Sequence, residues 1–341
     1  MDLRIDPLQA RLAEAVDTAL TRTGDVYAEL AALGVPGLGA PQSLGGLGLG
    51  LSADIMVNAR LGHGLEPLGA YRETVLVLEL LEETGVAEPL LEEVLKGQRH
   101  AATAGVHTDT GLRVDAEGRL WGDSEHLPVG DFGLVVARAT AHDGTTRPYV
   151  VTPDPTTCAV ETGSLLRLPT VRLRFSGARA EALDLPAERW SRALDAARVR
   201  QAAVLLGLAD RALAVARSHV NRRVQYGSPL VNLQTVSHGL ARLVGEADGW
   251  RLLLHEVAWH RDQGRGNPAD AARLLAVAAE HALLCTRKAL QLHGVRGMLA
   301  HSTAATAYRL ASVEAARTGA PAVLWARATP HPAATGLTSF R

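Results

Sequence analysis

The hydrophobic pattern of this chain changes its period twice. Up to about residue 98 the apolar residues fall at helical spacing, as in Val75, Leu76, Leu78, Leu80 and Leu81. Between about 99 and 186 short β-rich runs replace them, among them Leu134-Val135-Val136-Ala137 and Tyr149-Val150-Val151-Thr152. Val171-Arg172-Leu173-Arg174-Phe175 alternates apolar and charged residues as a half-buried strand does. Beyond Pro186 the helical spacing returns in longer runs. Segregated blocks of this kind build a multidomain α+β protein, and 341 residues exceed what one core usually holds. The expected parts are an N-terminal helical domain (1–98), a middle β-barrel or sandwich (99–186), a C-terminal four-helix bundle (187–328) and a tail (329–341).

Element ends are marked by familiar punctuation. Asp6-Pro7 places an acidic cap before a proline at the first helical position, and Gly34 with Pro36 stops a helix begun at Asp25. Further helices are expected over 51–61, 71–84 and 88–95, then over about 188–221, 233–263, 268–291 and 302–317. Gly45-Gly46-Leu47-Gly48-Leu49-Gly50 suggests a phosphate loop, but the preceding stretch is broken by Pro36 and Pro41 and is no strand. A tight connection between helices is the better reading.

A net charge of −1 gives no electrostatic footprint for nucleic acid or for a membrane surface. The first residues lack a signal-peptide pattern, no apolar run is long enough to span a bilayer, and a cytoplasmic protein is expected. Cys158 and Cys285 stand far apart, without metal-binding spacing, and read as buried thiols. His293 and His301 show no metal pattern either, so no metal site is expected.

Two segments carry chemistry. Arg222-Arg223-Val224-Gln225-Tyr226-Gly227-Ser228-Pro229-Leu230, with Gln234 after it, ends a long expected helix. By position alone Arg223 could be a helix cap, favoured by the macrodipole. Its guanidinium also suits phosphate, because it offers paired donors in fixed geometry. The second segment, Gln291-Leu292-His293-Gly294-Val295-Arg296-Gly297, puts a glutamine and a glycine turn at the end of another helix, where backbone amides can approach a phosphate closely.

Together these segments resemble the two flavin-contacting signatures of the acyl-CoA dehydrogenase family, and the helix–strand–helix layout resembles that family along nearly the whole chain. The resemblance implies FAD-dependent α,β-dehydrogenation of an acyl-CoA thioester, with an electron-transfer flavoprotein or similar acceptor. It implies FAD contacts from Arg223, Gln225, Tyr226, Gln291, Gly294 and Gly297. Val295 departs from the family's paired glycines. Ala101-Ala102-Thr103-Ala104-Gly105 and Leu120-Trp121-Gly122-Asp123-Ser124 partly resemble the segments that the middle domain presents to the flavin ring, although a tryptophan in a strand is more often core.

The catalytic base is missing. A carboxylate must take the α-proton, and the family places it at one of two positions. These read Thr318 and Ala197 here, the latter beside Arg198, which the resemblance places at the substrate site. Glu314, one turn before Thr318, is a weak substitute; it and Asp195 are expected to be solvated surface acids.

The chain therefore resembles the short subunit, lacking the catalytic glutamate, of heterotetrameric acyl-CoA dehydrogenases that act on steroid side chains. A homologous subunit in a heterodimer or α2β2 assembly would bring the base and the main flavin pocket. The rivals are a homomeric acyl-CoA or acyl-carrier-protein dehydrogenase with a non-standard base, and a non-redox acyl-thioester-binding member of the fold.

Overall fold

The structure is a computed structural model that describes residues 7–22, 25–40, 45–66, 69–82, 84–86 and 88–329; the expected cap at Asp6 and the tail beyond Thr329 lie outside them. Five helices come first: α1 (Pro7–Thr21), α2 (Val26–Ala32), α3 (Leu51–Gly64), α4 (Gly69–Leu81) and α5 (Glu88–Leu95). Eight strands follow: β1 (His100–Ala104), β2 (Arg113–Val114), β3 (Arg119–Asp123), β4 (Leu127–Pro128), β5 (Phe132–Ala141), β6 (Thr146–Val151), β7 (Cys158–Leu165) and β8 (Leu168–Ala182). Then α6 (Ala187–Arg222), a hairpin of β9 (Val224–Gln225) and β10 (Ser228–Pro229), α7 (Gln234–Asp262), α8 (Pro268–His293), α9 (Thr303–Arg317) and α10 (Pro321–Ala328) complete the described chain. The last of these, opened by Pro321, has no counterpart among the expected elements.

The sheet closes on itself. β5 pairs with β6, β6 with β8, β8 with β3, β3 with β2 and β2 with β5, so these five strands form a ring. β1 lies parallel beside β5, while β4 and β7 pair with β8. The inward residues of β8, Val171, Leu173 and Phe175, fill the barrel with Leu120, Val135 and Tyr149. Cys158 belongs to this core and Cys285 to that of the helical bundle, both as free thiols.

Helix α4 explains how the parts fit together, because it is buried on every side. Leu76 and Leu80 share one apolar cluster with Leu134, Val136 and Val150 of the barrel and Ala193 of α6. Tyr71 and Val75 pack on the other side against Leu30, Val57 and Leu61. The contact of α3 with α6 is so close that two glycines are required. A Cβ on Gly62 would stand 2.1 Å from Val204 O, and one on Gly207 2.0 Å from Ala59 O.

The glycine-rich segment leads straight into α3 with Gly50 as N-cap, and among the described residues no strand precedes it. Its cap is supplied by the far end of the bundle. The Asp262 carboxylate accepts from Leu51 N at 2.6 Å, Ser52 N at 3.0 Å and the Ser52 hydroxyl at 2.5 Å. Helix N-termini leave amide groups unpaired, and a carboxylate satisfies them. Asp262→Ala should therefore lower stability by about 1–2 kcal/mol, read as a fall in the urea midpoint with an unchanged slope.

Candidate functional site

The two sequence segments meet at the surface. Helix α6 ends at Arg222, and Arg223 turns to extended backbone while its N–H still donates to His219 O at 2.9 Å. The β9–β10 hairpin then pairs Val224 with Pro229 and Gln225 with Ser228. Its two-residue turn, Tyr226 and Gly227, has φ of 53° and 80°, the left-handed pair that tight hairpins favour. Tyrosine adopts that region at a cost, yet its side chain is 94% exposed. The strain holds an aromatic ring out in solvent, where nothing in the chain uses it. Arg223 and Gln225 are exposed as well, and among the described residues Arg223 has no ion-pair partner.

The second segment arrives from α8. That helix ends at His293, Gly294 turns with φ 58°, and a 3-10 turn runs over Gly294–Met298. Gln291 and Gly294 are exposed; Gln291 Oε1 accepts from Lys288 Nζ at 3.3 Å. Gly297 is buried, and a Cβ there would lie 2.8 Å from the His293 Cβ, so the turn folds tightly over His293. His293 in turn stacks on His219, with ring centroids 4.2 Å apart and planes at 28°. Burial lowers the His219 pKa, and His293, Arg223, Arg222 and Arg296 act in the same direction. The joined ends of α6 and α8 thus form one exposed cationic surface. From the sequence His293 is expected only to hold no metal; its pairing with His219 is signalled by no more than a histidine four residues before Arg223 and another just before Gly294.

The expected base positions are half-buried and lie together. Ala197 and Thr318 line one small cavity with Arg72, Glu73, Arg200, Gln201 and Arg317. Glu314 is no surface acid. Its carboxylate meets Arg72 Nη2 at 2.5 Å, Arg317 through two contacts of 3.0 Å, and Gln201 Nε2 at 2.8 Å. Burial alone would raise its pKa, but Arg317 and Arg72, with the hydrogen bonds from Arg317 and Gln201, outweigh it and hold the group at about 2. A carboxylate so stabilised is a poor proton acceptor. Asp195 is likewise buried, not solvated, and bonds Arg198 Nη1 at 2.5 Å, so Arg198 is neutralised within its own helix.

The middle-domain segments are also occupied from within. Thr103 gives both its N–H (3.1 Å) and its hydroxyl to Glu73, and Gly105 N donates to Glu125 at 2.9 Å. Ser124 is buried, its hydroxyl bonded to Glu125 O and accepting from Leu173 N. Trp121 is not core: it lies half-exposed on the outer face of the barrel with Nε1 on Asp115 at 2.8 Å. Sequence reasoning missed Glu125, whose carboxyl burial pushes up to about 7. It missed Arg72 and Glu73 too, although two charges inside the apolar run of α4 were the available sign.

Relatives carry the same fold. Residues 188–329 match the acyl-CoA dehydrogenase C-terminal domain. Benzylmalonyl-CoA dehydrogenase of Aromatoleum aromaticum is 28% identical over 82% of this chain and 81% of its own length. Several other curated relatives match over less than a third of their length. Among solved structures, a Tcur3481–Tcur3483 steroid ACAD variant superposes with a TM-score of 0.84 at 24% identity, covering 95% of this chain and 97% of that one. The ChsE4–ChsE5 complex from Mycobacterium tuberculosis gives 0.79 at 21%, covering 96% and 97%. The chain as a whole has the acyl-CoA dehydrogenase fold. Its homologues and structural neighbours include acyl-CoA dehydrogenases, which are oxidoreductases.

Within that fold the two halves of a flavin site fare differently. The C-terminal half (Arg223, Gln225, Tyr226, Gln291, Gly294) is exposed; Gln291 Oε1 is held by Lys288 and the Gly294 N–H by Gln291 O, while the Arg223 guanidinium, unpaired among the described residues, suits the phosphate-bearing edge of a flavin nucleotide. The middle-domain half does not fit, since Thr103, Gly105 and Ser124 are bonded internally. Among the described residues no cluster of histidine, cysteine or carboxylate side chains could hold a metal, and no described helix is long and apolar enough to cross a membrane.

Glu314→Gln would leave Arg72 and Arg317 buried without their counter-charge, and should cost about 3–5 kcal/mol in chemical unfolding. Because Glu314 titrates lower in the folded protein than in the unfolded one, its contribution is present above the ordinary glutamate value. It should fade as pH falls toward about 2, so the wild type loses stability in that acid range and the variant does not. Glu125 has the opposite sign: its folded pKa is raised, so its stabilising protonated form is lost as pH rises through about 7. Glu125→Gln should flatten the fall in thermal midpoint between pH 5 and pH 8.

Proposed function

We propose that this chain is the subunit without a base in a heteromeric acyl-CoA dehydrogenase, and that it completes the FAD site of a homologous partner. The observation that carries this reading is the contrast between its two potential sites. Its own cleft, where Ala197 and Thr318 lie, is closed by Arg72, Glu314 and Arg317. Its outer surface presents Arg223 and Tyr226, whose side chains have no bonded or stacked partner among the described residues, beside the exposed Gln291 and Gly294. Groups held ready outside and absent inside suit a contribution made across an interface.

In this arrangement the partner supplies the carboxylate that takes the α-proton and the pocket around the flavin ring. FAD supplies the hydride acceptor when bound. This chain's part would be binding and orientation: Arg223 would pair with the pyrophosphate, Tyr226 would pack beside the adenine, and the Gln291 side-chain amide with the backbone amides that follow Gly294 in the turn would donate to the phosphates. The substrate is an acyl-CoA thioester, and a steroid side chain is supported by fold neighbours that include a steroid ACAD. The ChsE4–ChsE5 neighbour supports an assembly of unlike chains. An electron-transfer flavoprotein or similar acceptor, in the cytoplasm, would reoxidise the flavin.

One observation favours a second reading. Glu125 is a carboxyl with a pKa near 7 at the junction of barrel and helices, the property that a homomeric dehydrogenase with a non-standard base would need.

The test is a visible absorption spectrum of the purified chain, alone and co-purified with homologous acyl-CoA dehydrogenase subunits of the same genome. Flavin bands are expected only in the complex. Arg223→Ala should weaken retention of the flavin there by about 10- to 100-fold, the worth of one charge-assisted bond to phosphate. A full flavin complement and activity in the lone chain would overturn the proposal and make Glu125→Gln the variant to assay.

A further inference from the structure

We propose that the stacked His219–His293 pair is a clasp that sets the spacing between the two halves of the exposed site, and that protonation opens it. The inference rests on reading that surface as a phosphate-binding half-site. Each histidine is tied through its backbone to one half. His219 O accepts the Arg223 N–H at 2.9 Å, at the turn where Arg223 leaves the helix. His293 immediately precedes Gly294, and the close approach of Gly297 presses the 3-10 turn over it. The stack, at 4.2 Å, brings the end of α6 to the end of α8.

The clasp depends on neutral rings. His293 Nδ1 lies 2.8 Å from Ala289 O, and a carbonyl only accepts, so Nδ1 carries the proton and Nε2 is the basic nitrogen. The groups that bear on His219 are cationic or imidazole: His293 from α8, Arg222 and Arg223 from the end of α6, and Arg296 from the 3-10 turn. Lys288, a turn and a half back along α8, adds a further positive charge beside Gln291. Protonating either ring puts another like charge into a cluster of arginines, and protonating both sets two cations face to face at stacking distance.

This yields a prediction of unusual sign. Phosphate attraction alone would tighten binding as the histidines gain charge. A clasp that opens makes acid weaken it, because Arg223 and the Gly294 amides no longer converge on one phosphate-bearing group.

Two measurements test this. In the lone chain, the His219 ring signal followed by NMR should titrate below a free histidine, and the midpoint should rise toward the free value in His293→Ala. In the co-purified complex, flavin retained through gel filtration at pH 8 should be lost at pH 5.5. The double variant His219→Phe with His293→Phe, whose rings stack without titrating, should keep it at both, with circular dichroism confirming the fold. The clasp is overturned if the midpoint does not move in His293→Ala, if acid leaves flavin retention unchanged or tightens it, or if the double variant loses flavin as the wild type does. A complex without flavin at any pH overturns the half-site reading instead, and the clasp then stands or falls on the NMR titration.

Discussion

Two buried arginine–carboxylate networks hold this molecule in register, and both are centred on α4. Arg200 of α6 reaches Asp54 of α3 at 2.5 Å and pairs with Glu79 of α4, while the Tyr71 hydroxyl donates to Asp54 at 2.9 Å. About two turns before Glu79 on the same helix, Arg72 pairs with Glu314 of α9, and Gln201 of α6 donates to the same carboxylate. Apolar packing alone would let a buried helix slide or rotate by small steps at modest cost. Paired charges in a low-dielectric interior do not, because each displaced member would face an unpaired ion.

The same networks decide what the cleft can do. Acyl-CoA dehydrogenation needs a carboxylate free to accept a proton and room for a thioester. Here the carboxylate nearest the expected base position is locked between two guanidinium groups, and the volume is taken by side chains. The surface formed by the ends of α6 and α8 is the reverse case: the Arg223 guanidinium and the Tyr226 ring, the latter held on strained backbone, have no bonded partner among the described residues. That contrast is what the proposed role beside a second chain rests on.

Much of this was legible in the sequence. The two changes of hydrophobic period locate the barrel, since a closed sheet and a helical bundle impose different repeats, and Gly and Pro mark the ends of most helices. The segments around Arg223 and Gln291 were legible because their residue types suit phosphate at short range along the chain. What was not legible depends on distant contacts. The burial of Glu314 is fixed by Arg72, 242 positions away, and its sequence neighbours look like those of any exposed helix. The Asp262 cap spans 211 positions. Trp121 fitted a core strand by type, but its face was set by the register between β3 and β8, which no local pattern prints. The short α10 was hidden because eight residues give too little periodicity to stand out from a tail.

The lock on Glu314 also shapes the history open to this chain. A carboxylate returned to Thr318 would enter next to Arg317, which is already committed to Glu314, and would add an acid to a closed cavity with no substrate to receive. Freeing that space first means dismantling a buried ion pair and passing through a much less stable protein. Under the proposed function, each single step back toward an independent enzyme would then be selected against before it brought any activity. Loss of the base would work as a ratchet, with dependence on another chain as the state in which it leaves the lineage.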